Sequence, residues 1–386
     1  MIDWKNWSGS QQHSARQLAL PESEAEIASL LNHAQSESLI VRAIGSAHSF
    51  VPFWTDDILV SLDQMKGVIE VDADNRQVTM WAGTKLHEIG PVLWQEGLSM
   101  INMGDIDRQS IAGAIGTGTH GTGRGLQNLS NQVASLRLMQ ANGDVVHLDA
   151  EDGDLFSAAQ VSMGTLGVVT QVTLNLMPAY HLIERNWVAS VEECGAELEQ
   201  LIENNRHFEF FWNPAKDVCE MKTLNPVEAS YREGDCPVGP AHEIIPSARE
   251  FEFNEIEFSV PYESGWACFM ELRSLMQTRY PDVVWPVEYR SLAADESLLS
   301  SAKGRESVTI SAHESNRRDH VAFFLDVEDL FRRYDGRPHW GKVHTHAYSE
   351  LSSRLPGFDR FCEVRWSLDP GGRFLNSFLQ RIFGTS

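Results

Sequence analysis

The sequence has no apolar run long enough to cross a bilayer, no CxxC pair, no repeat of fixed period and little positive charge. A spanning helix needs about 20 consecutive apolar residues, so no membrane partner is expected. The five cysteines, Cys194, Cys219, Cys236, Cys268 and Cys362, are scattered and odd in number, which argues against a disulfide framework or metal knot and fits a reducing cytoplasm. Only 31 Lys and Arg stand against 54 Asp and Glu, a net charge of −23. That excess repels nucleic acid and anionic lipid and favours solubility. The first residues carry no basic region followed by an apolar one, so no signal peptide is expected. At 386 residues the chain is long enough for two domains.

What is present divides near residue 179. Before it, short strands, helices and hairpins alternate, an α+β pattern. "PESEAEIASLLNHA" has Ser23 and Glu26 spaced as a capping box ahead of Ile27, Leu30, Leu31 and Ala34 on one helical face. Turns at Asp72–Asn75 and at Asn142-Gly143 close two hairpins, and "TKLHEIGPVLWQEG" reads as a helix stopped at Gly97. After Pro178 the pattern changes to strands with interspersed helices, as in helices laid on an antiparallel sheet. The Pro/Gly-rich acidic stretch from 224 to 250 reads as a loop or cap.

Two segments are unusually bare. "VRAIGSAHSF" ends a buried strand with Gly45, Ser46 and Ala47 and then places His48. "GDIDRQSIAGAIGTGTHGTGRG" contains GxGxxG at Gly116, Gly118 and Gly121, but the polar "RGLQNLSNQ" follows where a Rossmann fingerprint would open an apolar helix. The simple dinucleotide reading is therefore rejected. Two loops of exposed N–H groups suit an extended pyrophosphate held between them, with Ser110 capping a short turn; ordinary tight turns would look the same. By residue type alone His48 reads as a solvated or hydrogen-bonding loop histidine.

In order along the chain, "GSAHS", "TGTHGTG" and "MGTLGVVTQVTLNLMPAY", then "VEYR", "RPHWGK" and "LDPGGRFLNSF", resemble the vanillyl-alcohol-oxidase-like FAD oxidoreductases. Within them the tail is similar to the sugar-lactone oxidase and alditol oxidase branch, which includes arabinonolactone and gulonolactone oxidases. The resemblance covers the first 180 residues or so and the last fifty, and is thin between. It implies a two-part FAD-binding domain of the PCMH type (1–179, rejoined by 345–386) and an antiparallel-sheet substrate or cap domain with helices on one face (180–344). It implies FAD bound by Ala43, Ile44, Gly45, Ser46, Ala47, His48 and Ser49, by Gly104, Asp105, Ser110, Gly113, Thr117, Gly118, Thr119 and His120, and by Val168 and Val169. In this family the histidine matching His48 bonds covalently to the flavin 8α-methyl. The loop departs from the pattern at Ala47, where the family usually has Gly.

The reaction so implied is oxidation of a CH–OH group in a polyol, sugar or sugar lactone by hydride transfer to flavin N5, then reoxidation by O2 to give H2O2. The alternatives are a dehydrogenase of the same fold with a quinone or cytochrome acceptor, and a non-catalytic flavin-binding protein. The resemblance assigns substrate-side roles to Glu288, Arg290 and Lys342 without settling which is the base. Glu288 and Arg290 lie two apart on an expected strand and so share a face; an outer-face ion pair would show the same spacing. His313 is a specificity candidate. His339 reads as structural beside Trp340. His344 and His346 alternate, but no third ligand is evident, so no metal is expected. Gly104 matches a position where some family dehydrogenases carry a bulkier residue thought to obstruct oxygen. Asp105 stands where the alditol oxidases have serine, and a carboxylate there disfavours anionic substrates. Oligomeric state is left open, a monomer being compatible.

Overall fold

The computed structural model describes residues 1–247 and 251–384; the end of the acidic stretch, 248–250, lies outside the described residues. Among those described, no helix is long and apolar enough to cross a membrane.

The N-terminal half is built on two sheets. Strands Gln17–Ala19, Ile58–Ser61 and Val41–Ile44 form a small parallel sheet, covered by helix Glu24–Ser36, which buries Ile27, Leu31 and Ala34. The second sheet is antiparallel and centres on the long strand Val168–Pro178, flanked by Val133–Met139 and Gln77–Trp81. That strand alternates buried and partly exposed residues along its length, the period-2 pattern of a one-sided sheet. C-terminal helices Phe358–Leu368 and Ser377–Phe383 return to this half and bury Phe361, Leu379 and Phe383 in the same core as Val172 and Leu174. Arg42 ties the pieces together. It is wholly buried and donates to the carbonyls of Phe53, Met163, Gly164 and Phe374.

The other half is an eight-stranded sheet that includes Val218–Val227, His207–Asn213, Val287–Leu292, Ser307–Ser315 and Phe253–Pro261 in that spatial order. One face is apolar: Phe210, Tyr289, Ile310, Ile256 and Phe258 pack with residues of helices Val191–Asn204, Gly265–Arg279 and Val321–Arg333. The opposite face is polar, and the antiparallel register sets it out in rows. Lys222 is opposite Glu209, and Glu209 is opposite Arg290. In the next row Glu288 is opposite Ser311, and Ser311 is opposite Glu257. His313 is opposite Glu255.

Three local expectations need correction. Ser23 does cap its helix, accepting from Glu26 N, but the Glu26 carboxylate accepts from Glu22 N and does not close the box. Ser110 stands at the N-cap of helix Ile111–Gly116, yet its side chain makes no cap hydrogen bond, being turned toward Gly45. The acidic stretch is not all loop: Val238–Pro240 adds an edge strand beside His181–Ser190, and Ala241–Ile244 forms a helical turn. That turn is seated on helix Leu86–Gln95, where a Cβ on Gly90 would come within 2.5 Å of His242 Cβ.

Candidate active site

A cleft of about 1100 Å³, counting the solvent-open part, lies in the N-terminal half. Both bare loops line it, with Ala43 to Ser49 on one side and Ser110, Gly113 and Thr117 on the other, together with Val169. The loops lie so close that side chains would close the gap. A Cβ on Gly45 would come within 2.3 Å of Ser110 Oγ. Gly104, Asp105, Thr119 and His120 line a second cavity instead, and Gly118 and Val168 line neither; Val168 is fully buried among the residues under the parallel sheet.

His48 stands where the cradle ends. Trp7 N donates to Ala47 O at 2.8 Å and Phe50 N to Gly341 O at 2.8 Å, so the loop is fastened on both sides of the histidine. Ala47 is held at a φ of +56°, a left-handed conformation that suits glycine better. The Trp7 ring lies 5.5 Å from the imidazole. His48 Nδ1 is buried and has no hydrogen-bond partner among the described residues. Burial, helped by the charges of Lys342 and Lys85, pushes the imidazole down to about 4, so the ring is neutral at physiological pH and keeps a lone pair.

The Phe50–Gly341 bond joins this loop to the turn after edge strand Arg337–Pro338, beside the polar face of the large sheet. There Glu288, Arg290, His313, His339 and Lys342 line one pocket with Gly104, Asp105 and His120. The two residues of "VEYR" do share a face, and Arg290 Nη2 lies 3.3 Å from Glu288 Oε2. Arg290 also donates to Glu257 Oε1 at 3.0 Å, and His120 Nε2 lies 2.9 Å from the same oxygen. Burial alone would raise the Glu257 carboxyl, but Arg290 and His120 hold it well below the usual carboxylate range. Lys342 donates to Glu255, whose other oxygen lies 3.6 Å from His313 Nε2. His313 Nδ1 is 2.8 Å from Pro286 O. His339 is not merely structural: it faces the pocket, 5.7 Å from the His120 ring, while Trp340 turns away to donate to Leu299 O. Burial pushes His339 down to about 3, and its Nδ1 accepts from Gly341 N.

The paired histidines lie elsewhere. His346 sits between Glu328 at 2.7 Å and Glu350 at 3.2 Å, and His344 meets Trp340 edge-on and Phe378 at a tilt. Carboxylates therefore do face His346, which the spacing of the two histidines did not show.

The sequence matches the D-arabinono-1,4-lactone oxidase family over residues 172–237 and 227–382, and an FAD-binding domain over residues 15–149. It is 34% identical to the L-gulono-1,4-lactone dehydrogenase of Mycobacterium tuberculosis, with 99% of each chain covered. The chain belongs to the D-arabinono-1,4-lactone oxidase family. It is also 28% identical to the L-gulonolactone oxidase of Mus musculus, covering 99% of this chain and 98% of that one, and 27% identical to a Streptomyces alditol oxidase, covering 98% of both. In fold it is similar to cholesterol oxidase from B. sterolicum, with a TM-score of 0.87 at 14% identity, covering 99% of this chain and 96% of that one. Members of this lactone oxidase family with an FAD domain need room for FAD, and the residues fit it: a cradle that side chains would fill, and an orphaned neutral imidazole at its end.

Sequence reasoning missed four charged residues that line the pocket of Glu288 and Arg290 or the small cavity sharing Asp105 with it: Glu255, Glu257, Glu209 and Lys222. A signal existed for the first two. In "FNEIEFSVP" the acids alternate with Ile256 and Phe258, but the same alternation marks any half-exposed strand. Here all but the last residue of that strand is buried.

Proposed function

We propose that the protein is an FAD-dependent oxidase of CH–OH groups in a neutral polyol, sugar or sugar lactone, with its flavin attached through His48. FAD, when bound, supplies the hydride acceptor and, with O2, its own reoxidation to give H2O2. The observation that carries this reading is the direct joining of the cofactor loop to the substrate face through Phe50 and Gly341. That bond sets the loop beside the turn that carries Lys342, whose charge reaches the His48 imidazole.

The chain's own residues divide the work. Arg290 and Lys342 supply positive charge where a hydroxyl oxygen gains electron density. Glu288 accepts hydrogen bonds from substrate hydroxyls, and Glu255 and Glu257 hold the two cations in place from behind. His313 and Asp105 stand at the pocket wall and shape its preference. Among the described residues, five carboxylates (Asp105, Glu209, Glu255, Glu257 and Glu288) line the two adjoining cavities with Lys222, Arg290 and Lys342, a lining that disfavours an anionic substrate. Ser247 N donates to Asp105 O at 2.9 Å, so the cap segment closes over the wall and limits water. The domain limits 1–179, 180–344 and 345–386 and a cytoplasmic location, which five free thiols suit, are part of the same reading.

Oxygen as acceptor is supported by the bare Gly104 at the pocket, where an added Cβ would meet Thr119 Cγ2 at 3.0 Å. The similarity to a dehydrogenase favours a second reading, an organic or protein electron acceptor. Stoichiometric peroxide per substrate oxidised supports the first; dye reduction without peroxide supports the second. Acid precipitation of the purified protein tests the attachment. Yellow colour is expected in the pellet, and in the supernatant for His48→Ala. Colour released from the wild-type protein would overturn it.

A further inference from the structure

Behind the substrate pocket lies a smaller cavity, walled by Asp105, His207, Glu209 and Lys222, with room for about one water. Asp105 lines both spaces. One carboxylate oxygen each from Asp105, Glu209 and Glu288 lies within 4.8 Å of the others. Carboxylates that close in a buried site repel one another, and at Glu209 the cations Lys222 and Arg290 offset burial and that repulsion only in part. His207 supplies an independent observation. Its Nδ1 lies 2.9 Å from Thr122 O, and burial pushes the imidazole down to about 4. The neutral ring therefore donates from Nδ1 and carries its lone pair on Nε2. That Nε2 is buried and has no partner among the described residues. An acceptor left waiting in a cavity beside carboxyls calls for a donor there, either an acid proton or a water that carries one.

We infer that Glu209 is the resting place of the proton released by the substrate hydroxyl, reached through Asp105. The inference rests on the oxidase reading. The O–H bond breaks and its electron pair becomes the second C–O bond as the carbon's hydride leaves to FAD. The proton passes to the Asp105 carboxylate and comes to rest on Glu209. Glu209 is thus a positioning residue for a proton, acting through Asp105. Among the described residues, the groups facing it are Lys222 across the neighbouring strand, 3.1 Å from its Oε1, Arg290 on the other neighbour, Glu288, Asp105 and His207. Burial, with Asp105 and Glu288 against Lys222 and Arg290, raises its carboxyl to about 7. The carboxylates paired with Lys342 and Arg290 in the larger pocket do not share this property, since Glu255 and Glu257 are both held low.

The test is anaerobic single-turnover reduction of the flavin in the holoenzyme across pH, paired with infrared titration of protonated carboxyl groups. In the wild-type protein the reduction rate should rise with pH through a limb near 7, and a protonated-carboxyl band should vanish over the same range. Glu209→Gln should lose both the limb and the band, with reduction slower by about 100-fold above neutral pH. Lys222→Met keeps every carboxyl and should move limb and band upward, because the lost cation had favoured the carboxylate. A limb and band unchanged in Glu209→Gln would overturn the inference; should that variant fail to fold, an unmoved limb and band in Lys222→Met would do so. If no alditol or lactone reduces the flavin, the oxidase reading fails, while the infrared arm still decides the state of Glu209.

Discussion

Ala47 occupies a left-handed backbone position that costs a residue with a Cβ about 1–2 kcal/mol. Glycine there would relieve that strain and lose some of the gain to its own chain entropy. Ala47→Gly should therefore stabilise the protein by about 1 kcal/mol in urea unfolding, with the flavin still retained in acid. Arg290 is the opposite case. It is buried between Glu257 and Glu288, and removing it withdraws a buried cation from both carboxylates. Arg290→Met should cost roughly 3–5 kcal/mol of stability, read by the same unfolding, besides abolishing turnover. Glu209 adds a pH signature. Its carboxyl is raised from an ordinary 4.5 to about 7, so the folded protein binds a proton there more tightly than the unfolded chain does. Its contribution to stability is full below about 4.5 and lost as pH rises through about 7. Glu209→Gln should flatten that part of the stability profile.

At the scale of elements, the site depends on strands being covered from both sides. The large sheet buries aromatic side chains against three helices, and its other face carries charges that are buried without being apolar. Such a face is stable only where each charge meets a partner, which is why Lys342 meets Glu255 and Arg290 meets Glu257. The cap turn Ala241–Ile244 depends on a missing side chain in helix Leu86–Gln95. Gly90→Ala would improve helix propensity by roughly 1 kcal/mol, yet its Cβ would collide with His242. The expected result is a displaced cap: faster proteolysis within 228–247 and a KM raised severalfold, with flavin retention unchanged. Proteolysis and KM at wild-type values would show that the turn can yield without opening the pocket wall.

The whole molecule carries a charge of −23 and gathers carboxylates around the pocket proposed for the substrate. An aldonate should consequently be a poorer substrate than the matching alditol or lactone, chiefly through KM. Raising salt from about 0.1 M to 1 M shortens the screening length from about 10 Å to 3 Å. The KM gap should narrow but survive, because the buried carboxylates are screened far less than the surface ones. Faster turnover of the aldonate than of the neutral compound would sink the preference.

Local sequence was enough for what depends on neighbours along the chain. The bare loops before His48 and around Gly113, the Asn142-Gly143 hairpin and the shared face of Glu288 and Arg290 follow from residue size and from the periods of helix and strand. The sequence also placed Lys342 among the candidates, through a motif rather than through geometry. Only the tertiary structure decided which strands adjoin. Register across strands far apart in the chain sets Glu257 against Arg290 and Lys222 against Glu209. Alternation within one strand tells which residues share a face but not whether that face meets water. Whether an acid on it is a solvated charge or part of a buried proton store is settled by what packs over it, and that packing comes from distant chain.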